Sequence, residues 1–172
     1  MKRHELEHVI RAAGAITGCR ELVVIGSQAL LASVPSPPDE LCVSMEADVY
    51  PADDPGRSDL IDGSIGEASP FHKQFGYYAH GVGPETATLP SGWRGRIVRF
   101  TSGNTGGVTG LCLHPVDIAA GKLVAGREKD LAYVRALLKH RLVDPAALSE
   151  ALLEFPADLA RLTSGRLKRI RA

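Results

Sequence analysis

Apolar residues recur along this chain at helical spacing in some stretches and in short unbroken runs in others, and the change of pattern marks out the elements. Leu6, Val9, Ile10, Ala13 and Ile16 fall on one helical face, and Gly18 supplies a stop. Residues 22–25 form a short β-branched run, read as a buried strand. Gly26-Ser27 turns into a helical stretch over 28–33. The prolines at 35, 37 and 38 end it, because they fix φ and remove donors. Residues 41–50 read as the next strand, 51–56 as a loop and 58–65 as a short helix. From 66 to 93 there is no clear period. Glycine, proline, histidine and aromatics crowd this segment, which reads as ordered loop with short strands near Tyr77 and Ala87. Loops of that length are usually functional lids or binding loops. Strands are predicted over 96–100 and 109–113, around a turn at 103–107.

From Pro115 onward the pattern is helical. Pro115 suits a first helical position and Asp117 its positive end. Leu131, Val134, Leu138 and Leu142 line one face of a helix over 128–142. Asp144-Pro145 is a cap followed by a first-turn proline, and Pro156 opens a last helix with a basic end. The order, α/β first and all-helix last, predicts an α/β (α+β) fold: a mixed sheet over 1–114, with a helical segment over 115–172 packed on it as one compact unit.

Composition narrows function only by exclusion. Lys+Arg and Asp+Glu both number 20, so no net charge steers the chain to nucleic acid or membrane. Three separated cysteines, Cys19, Cys42 and Cys112, form no C-x-x-C, which disfavours a disulfide framework or a zinc site. Two of them lie in apolar runs and read as small buried hydrophobes. The N-terminal stretch carries His and Glu inside its apolar pattern, unlike a signal peptide. No apolar run reaches membrane-spanning length, so no membrane partner and a cytoplasmic location are the expectation.

Candidate chemistry sits at Gly26-Ser27 and at Glu46 and Asp48. Residues two apart in a strand point to one face, and two carboxylates on one face are hard oxygen ligands suited to Mg²⁺. Gly26 allows close backbone approach to a phosphate. The Ser27 hydroxyl and the following N–H groups can bind phosphate oxygens. A strand-to-helix turn with two solvent-facing acids is the plain alternative. A second cluster holds Asp117, Lys122, Arg127, Lys129 and Asp130. Lys122 and Arg127 suit phosphate, with Asp130 orienting one or the other. A solvated helix face carrying an Arg127–Asp130 pair is the competing reading. Gly126 leaves open whether the helix runs through. His72, Lys73, Tyr77, Tyr78, His80 and Trp93 are either base or RNA contacts or an aromatic cluster anchoring the loop. His114 reads as a capping or packing residue. The basic tail, Arg161 to Arg171, is either a contact for nucleic acid or an acidic partner, or a set of cations favoured by the helix dipole.

The segment VVIGSQALLA…MEADVYP resembles the signature of the nucleotidyltransferase superfamily. Phe71-His72…Phe75-Gly-Tyr-Tyr-Ala79, the 88–93 stretch TLPSGW and the block from His114 to Asp130 are similar to an uncharacterised bacterial subfamily of nucleotidyltransferase-like proteins. That subfamily lies close to the abortive-infection toxins of toxin–antitoxin pairs. The resemblance spans roughly 21–142 and implies a nucleotidyltransferase-type core. The implied activity moves a nucleoside monophosphate from a nucleoside triphosphate (NTP) to RNA, with tRNA as one acceptor, or to protein. Glu46 and Asp48 would hold Mg²⁺ as the catalytic pair. Gly26, Ser27, Lys122 and Arg127 would bind the nucleotide's phosphates. An antitoxin or other partner protein is also implied. The departures are Glu46 where the family usually has Asp, a longer gap from Ser27 to Asp48, and no Asp or Glu over 94–113, where a third acid is expected. Either another group takes that acid's place, or the chain is a weak or inactive relative that binds a protein or nucleic-acid partner.

Overall fold

The computed structural model describes residues 1–171. Among the described residues four α-helices and five strands share the first two thirds, and four further α-helices follow: α1 (Arg3–Thr17), β1 (Glu21–Ile25), α2 (Leu30–Ser33), β2 (Glu46–Pro51), α3 (Ser58–Ile65), α4 (Pro70–Phe75), β3 (Tyr78–Gly81), β4 (Val98–Phe100), β5 (Thr109–Cys112), α5 (Pro115–Ala125), α6 (Glu128–Lys139), α7 (Pro145–Leu152) and α8 (Ala157–Arg171). The sheet is mixed, in the order β3-β2-β1-β5-β4. β2 runs antiparallel to β1, β5 parallel to β1, β3 parallel to β2, and β4 antiparallel to β5. This is the α+β architecture that the order of patterns implies.

β1 is central, and Leu22 to Ile25 are all buried. That is why its run is unbroken rather than alternating. α1 covers one face. A methyl on Gly110 would lie 2.8 Å from Ile10 Cδ1, so glycine there lets helix and sheet approach closely. Paired residues share a face. The register Leu22↔Gly110 and Val24↔Val49 therefore puts Leu22, Val24, Ala47 and Val49 under α1. Glu46, Asp48 and Ile25 point to the opposite face, toward the C-terminal helices. One cluster of buried apolar side chains runs from α1 and the sheet into α5, α6, α7 and α8.

Four expectations change. The strand predicted over 41–50 begins only at Glu46, so the two acids open it. β1 ends at Ile25, opposite Asp48, and β3 starts at Tyr78, opposite Glu46, so residues 42–45 have no strand to pair with. The stretch after Gly26 is one 3₁₀ turn, Ser27–Ala29, and a single α-turn. The loop over 66–93 contains α4, capped by Ser69 Oγ accepting from His72 N at 3.1 Å and closed by Gly76 at φ +77°. It is too short to show a period. β3 forms beside Tyr77, but no strand forms at Ala87. The C-terminal punctuation is as predicted, with His114 and Asp144 capping α5 and α7. Cys19 and Cys112 are buried.

Candidate functional site

The antiparallel pairing of β1 and β2 builds the site. The C-terminal end of β1, where Gly26-Ser27 turns away, lies beside the N-terminal end of β2, where Glu46 and Asp48 stand. Contact there is close. Gly26 has φ +71° and ψ −164°, a region open essentially to glycine. A methyl on it would sit 2.5 Å from Asp48 Oδ2. Gly26 thus lets the turn pass over the acid.

A cavity of about 610 Å³ opens at this point, and Gly26, Ser27, Glu46, Asp48, Lys122 and Arg127 all line it. The six residues singled out from sequence, spread over a hundred positions, meet in one place. The volume lies in the range of small-molecule sites. The walls differ in character. β1 and β2 supply the turn and the carboxylates, α5 supplies Lys122 and the residue capping α6 supplies Arg127, and Leu41, Val43, Leu89, Ile118, Ala132 and Ala136 give an apolar side.

Asp48 is mostly buried, with a side chain 24% exposed. Burial, and then repulsion from Glu46, raises its pKa, opposed by His80 and Lys122. The carboxylate is short of positive charge. His80 Nδ1 lies 3.1 Å from Asp48 Oδ1, and Tyr78 Oη donates to Glu46 Oε2 at 2.9 Å. Burial and the bond to Glu46 push the Tyr78 phenol up to about 12, so it remains a donor at neutral pH. Glu46 Oε1 and Asp48 Oδ2 have no hydrogen-bond partner among the described residues.

Lys122 and Arg127 converge on Asp130. Lys122 Nζ donates to Asp130 Oδ1 at 3.1 Å, and Arg127 Nε to Oδ2 at 2.6 Å. Burial works to raise the Asp130 pKa, and these hydrogen bonds overcome it and hold the acid ionised. Asp130 therefore orients both cations. Gly126, at φ +66°, breaks the helix between them, so Lys122 lies on α5 and Lys129 on α6 rather than on one continuous face. Tyr133, not singled out from sequence, completes the wall. Its ring lies 4.5 Å from Lys122 Nζ, and its hydroxyl donates to the Ser27 carbonyl at 2.9 Å. The sequence signal was its i+3 spacing from Asp130 on α6.

Asp117, Lys129 and Asp130 line the cavity too, whereas the loop aromatics and the tail fall outside it. Tyr77 packs with His8, Phe71 and Phe75 in an aromatic cluster, with His8 Nδ1 2.8 Å from Tyr77 Oη, so for Tyr77 the structure shows the anchoring role. Arg94 stacks on Trp93, Arg96 binds Asp117 and Glu154, and Arg99 binds Glu21. None of the three is paired with Glu46 or Asp48. In the tail, Arg166 donates to the Leu123 and Val124 carbonyls at the end of α5. β4 and β5, which carry no Asp or Glu, lie beyond β1 from β2, and β3, the neighbour of β2 on its other side, carries none either.

Among the described residues no three His, Cys, Asp or Glu side chains group to hold a metal ion. What is present, two carboxylates each with an uncommitted oxygen, suits Mg²⁺ that arrives with a substrate and takes its remaining ligands from phosphates and water. The short helical stretch after Ser27 offers only a weak dipole to those phosphates. No helix among the described residues is long and apolar enough to cross a membrane. No protein-family model, curated protein or solved structure matches the chain.

Proposed function

We propose that the chain is a metal-dependent nucleotidyltransferase that moves a nucleoside monophosphate from an NTP to a hydroxyl of RNA, tRNA included, or of protein. The carrying observation is that Gly26, Ser27, Glu46, Asp48, Lys122 and Arg127 line one cavity. Charge supports a metal-borne substrate. Asp130 already occupies Lys122 and Arg127, and Arg96 already occupies Asp117. Glu46 and Asp48 would repel a bare triphosphate but attract its Mg²⁺ complex. When bound, Mg²⁺ would neutralise developing charge on the transferring phosphoryl group. In this reading Glu46 and Asp48 hold the ion. Lys122 and Arg127 receive phosphate oxygens, and the apolar wall receives the base. The sequence resemblance adds a toxin–antitoxin or phage-defence setting, with an antitoxin as the partner.

A second reading is a non-catalytic protein of the same architecture that binds a protein or nucleic-acid partner. One observation favours it: residues 94–113 supply no third carboxylate to join Glu46 and Asp48. Incubation with α-labelled NTPs, Mg²⁺ and bulk tRNA or cell protein separates the two. Transfer of label that falls at least about 100-fold in Asp48→Ala supports the enzyme, since such sites commonly supply several kcal/mol to the transition state. Absence of label with every NTP and acceptor favours the binding protein.

A further inference from the structure

β3 is an edge strand whose one sheet neighbour is β2. Their parallel register sets Tyr78 against Glu46 and His80 against Asp48. Paired residues put their side chains on the same face, so each acid meets one hydrogen-bonding aromatic. The contacts form as the register requires, at 2.9 Å for Tyr78 Oη to Glu46 Oε2 and 3.1 Å for His80 Nδ1 to Asp48 Oδ1. A neutral imidazole donates there as its Nδ1–H tautomer.

The support is layered. The Tyr78 ring packs on His72 of α4, with centroids 4.5 Å apart. His72 is itself held where Ala68 N donates to its Nδ1 at 3.0 Å. Each aromatic engages a single oxygen of its acid, and Asp48 Oδ2, the oxygen left over, is the one facing Gly26. A carboxylate with one oxygen fixed has lost most of its rotational freedom, and its second oxygen is pre-aimed.

We propose that Tyr78 and His80 are positioning residues for the acid pair, holding Oε2 of Glu46 and Oδ1 of Asp48 so that the other two oxygens are presented to a divalent cation. β3 thereby supplies orientation where a third carboxylate is absent. This rests on the reading of Glu46 and Asp48 as the cation-holding pair. Partners behind metal-ligating carboxylates typically contribute 10- to 100-fold in metal affinity.

The test is calorimetric titration of ATP into the full chain with and without Mn²⁺, taking the Mn²⁺-dependent gain in ATP affinity as the readout. Wild type is expected to show a gain. Tyr78→Phe and His80→Ala should each cut it by about 10-fold or more. His80→Asn, which keeps an N–H near the position of Nδ1, should restore most of it. Metal-free ATP binding should stay within about 2-fold of wild type in all three, which a purely structural role for the strand would not allow. An undiminished gain in both Tyr78→Phe and His80→Ala overturns the positioning role alone. So does a parallel loss of metal-free binding. No gain in wild type overturns the reading of the acid pair, and this inference with it.

Discussion

Asp48 carries the tension of the site. It is largely buried, it faces Glu46 on the same side of β2, and its pKa is raised by that burial and by Glu46 in turn. A carboxylate whose folded pKa exceeds its unfolded value binds more protons folded than unfolded. Stability therefore falls as pH rises through the window between the two values, and the deficit persists at neutral pH. Asp48→Asn removes the charge and keeps an acceptor for His80. It is expected to raise the melting temperature at pH 7, and the difference should shrink as pH is lowered toward and below the ordinary carboxylate range. Melting curves from pH 3 to 7 check this; a variant less stable than wild type at pH 7 would contradict it. A site that gains stability on losing its charged group is one kept for function rather than for folding. Gly26 belongs to the same bargain, since its conformation and the nearness of Asp48 Oδ2 exclude any side chain.

At the scale of elements, the break between α5 and α6 shapes the far wall. Gly126 turns the chain at φ +66°, so Lys122 and Asp130 meet across the bend instead of standing two turns apart on one helix. A methyl at Gly126 would also collide with the Arg166 guanidinium, which caps the α5 carbonyls. Gly126→Ala is expected to cost about 1–3 kcal/mol, the usual range for a non-glycine residue in that conformation, and chemical denaturation measures it. Punctuation of this kind was legible in the sequence. Pro115, Asp144-Pro145 and Gly18 each act locally, so their reading needs no knowledge of the fold. α4 was missed because Ser69-Pro70 and Gly76 bracket only six residues, fewer than two helical turns. The overlong β2 shows the opposite error. An apolar pattern continues through Val43, yet a strand lasts only where a partner exists, and Val43 is 79% exposed. Register was the part that could not be read. Glu46 and Asp48 stood out as a pair, but which strand would flank them, and that Tyr78 and His80 would face them, depends on β3 docking beside β2 in one alignment.

Across the whole molecule, the C-terminal helices close the cavity that the sheet begins. Arg96, just before β4, holds Asp117 of α5 with Nη2–Oδ1 2.7 Å and Nε–Oδ2 3.1 Å, and reaches Glu154 after α7 with Nη1–Oε1 2.6 Å. Asp117 is fully buried, so this fork fixes α5 against the segment leading into β4 as well as neutralising the acid. The Tyr133 bond to the Ser27 carbonyl ties α6 to the glycine turn in the same way. The acids come from the sheet and the cations from the helical segment, and contacts between the two parts hold them at one cavity. On the proposed function, this cavity takes a metal-bound triphosphate. A crystal structure with a non-hydrolysable ATP analogue and Mn²⁺ tests it most directly, because the anomalous signal of Mn²⁺ locates the ion independently of the nucleotide. The expected result is an ion in contact with Glu46 and Asp48 and phosphates running toward Lys122. An ion or nucleotide bound elsewhere, such as the shallow cleft between Arg11 and Arg20, or a cavity left empty at saturating ligand, would contradict it.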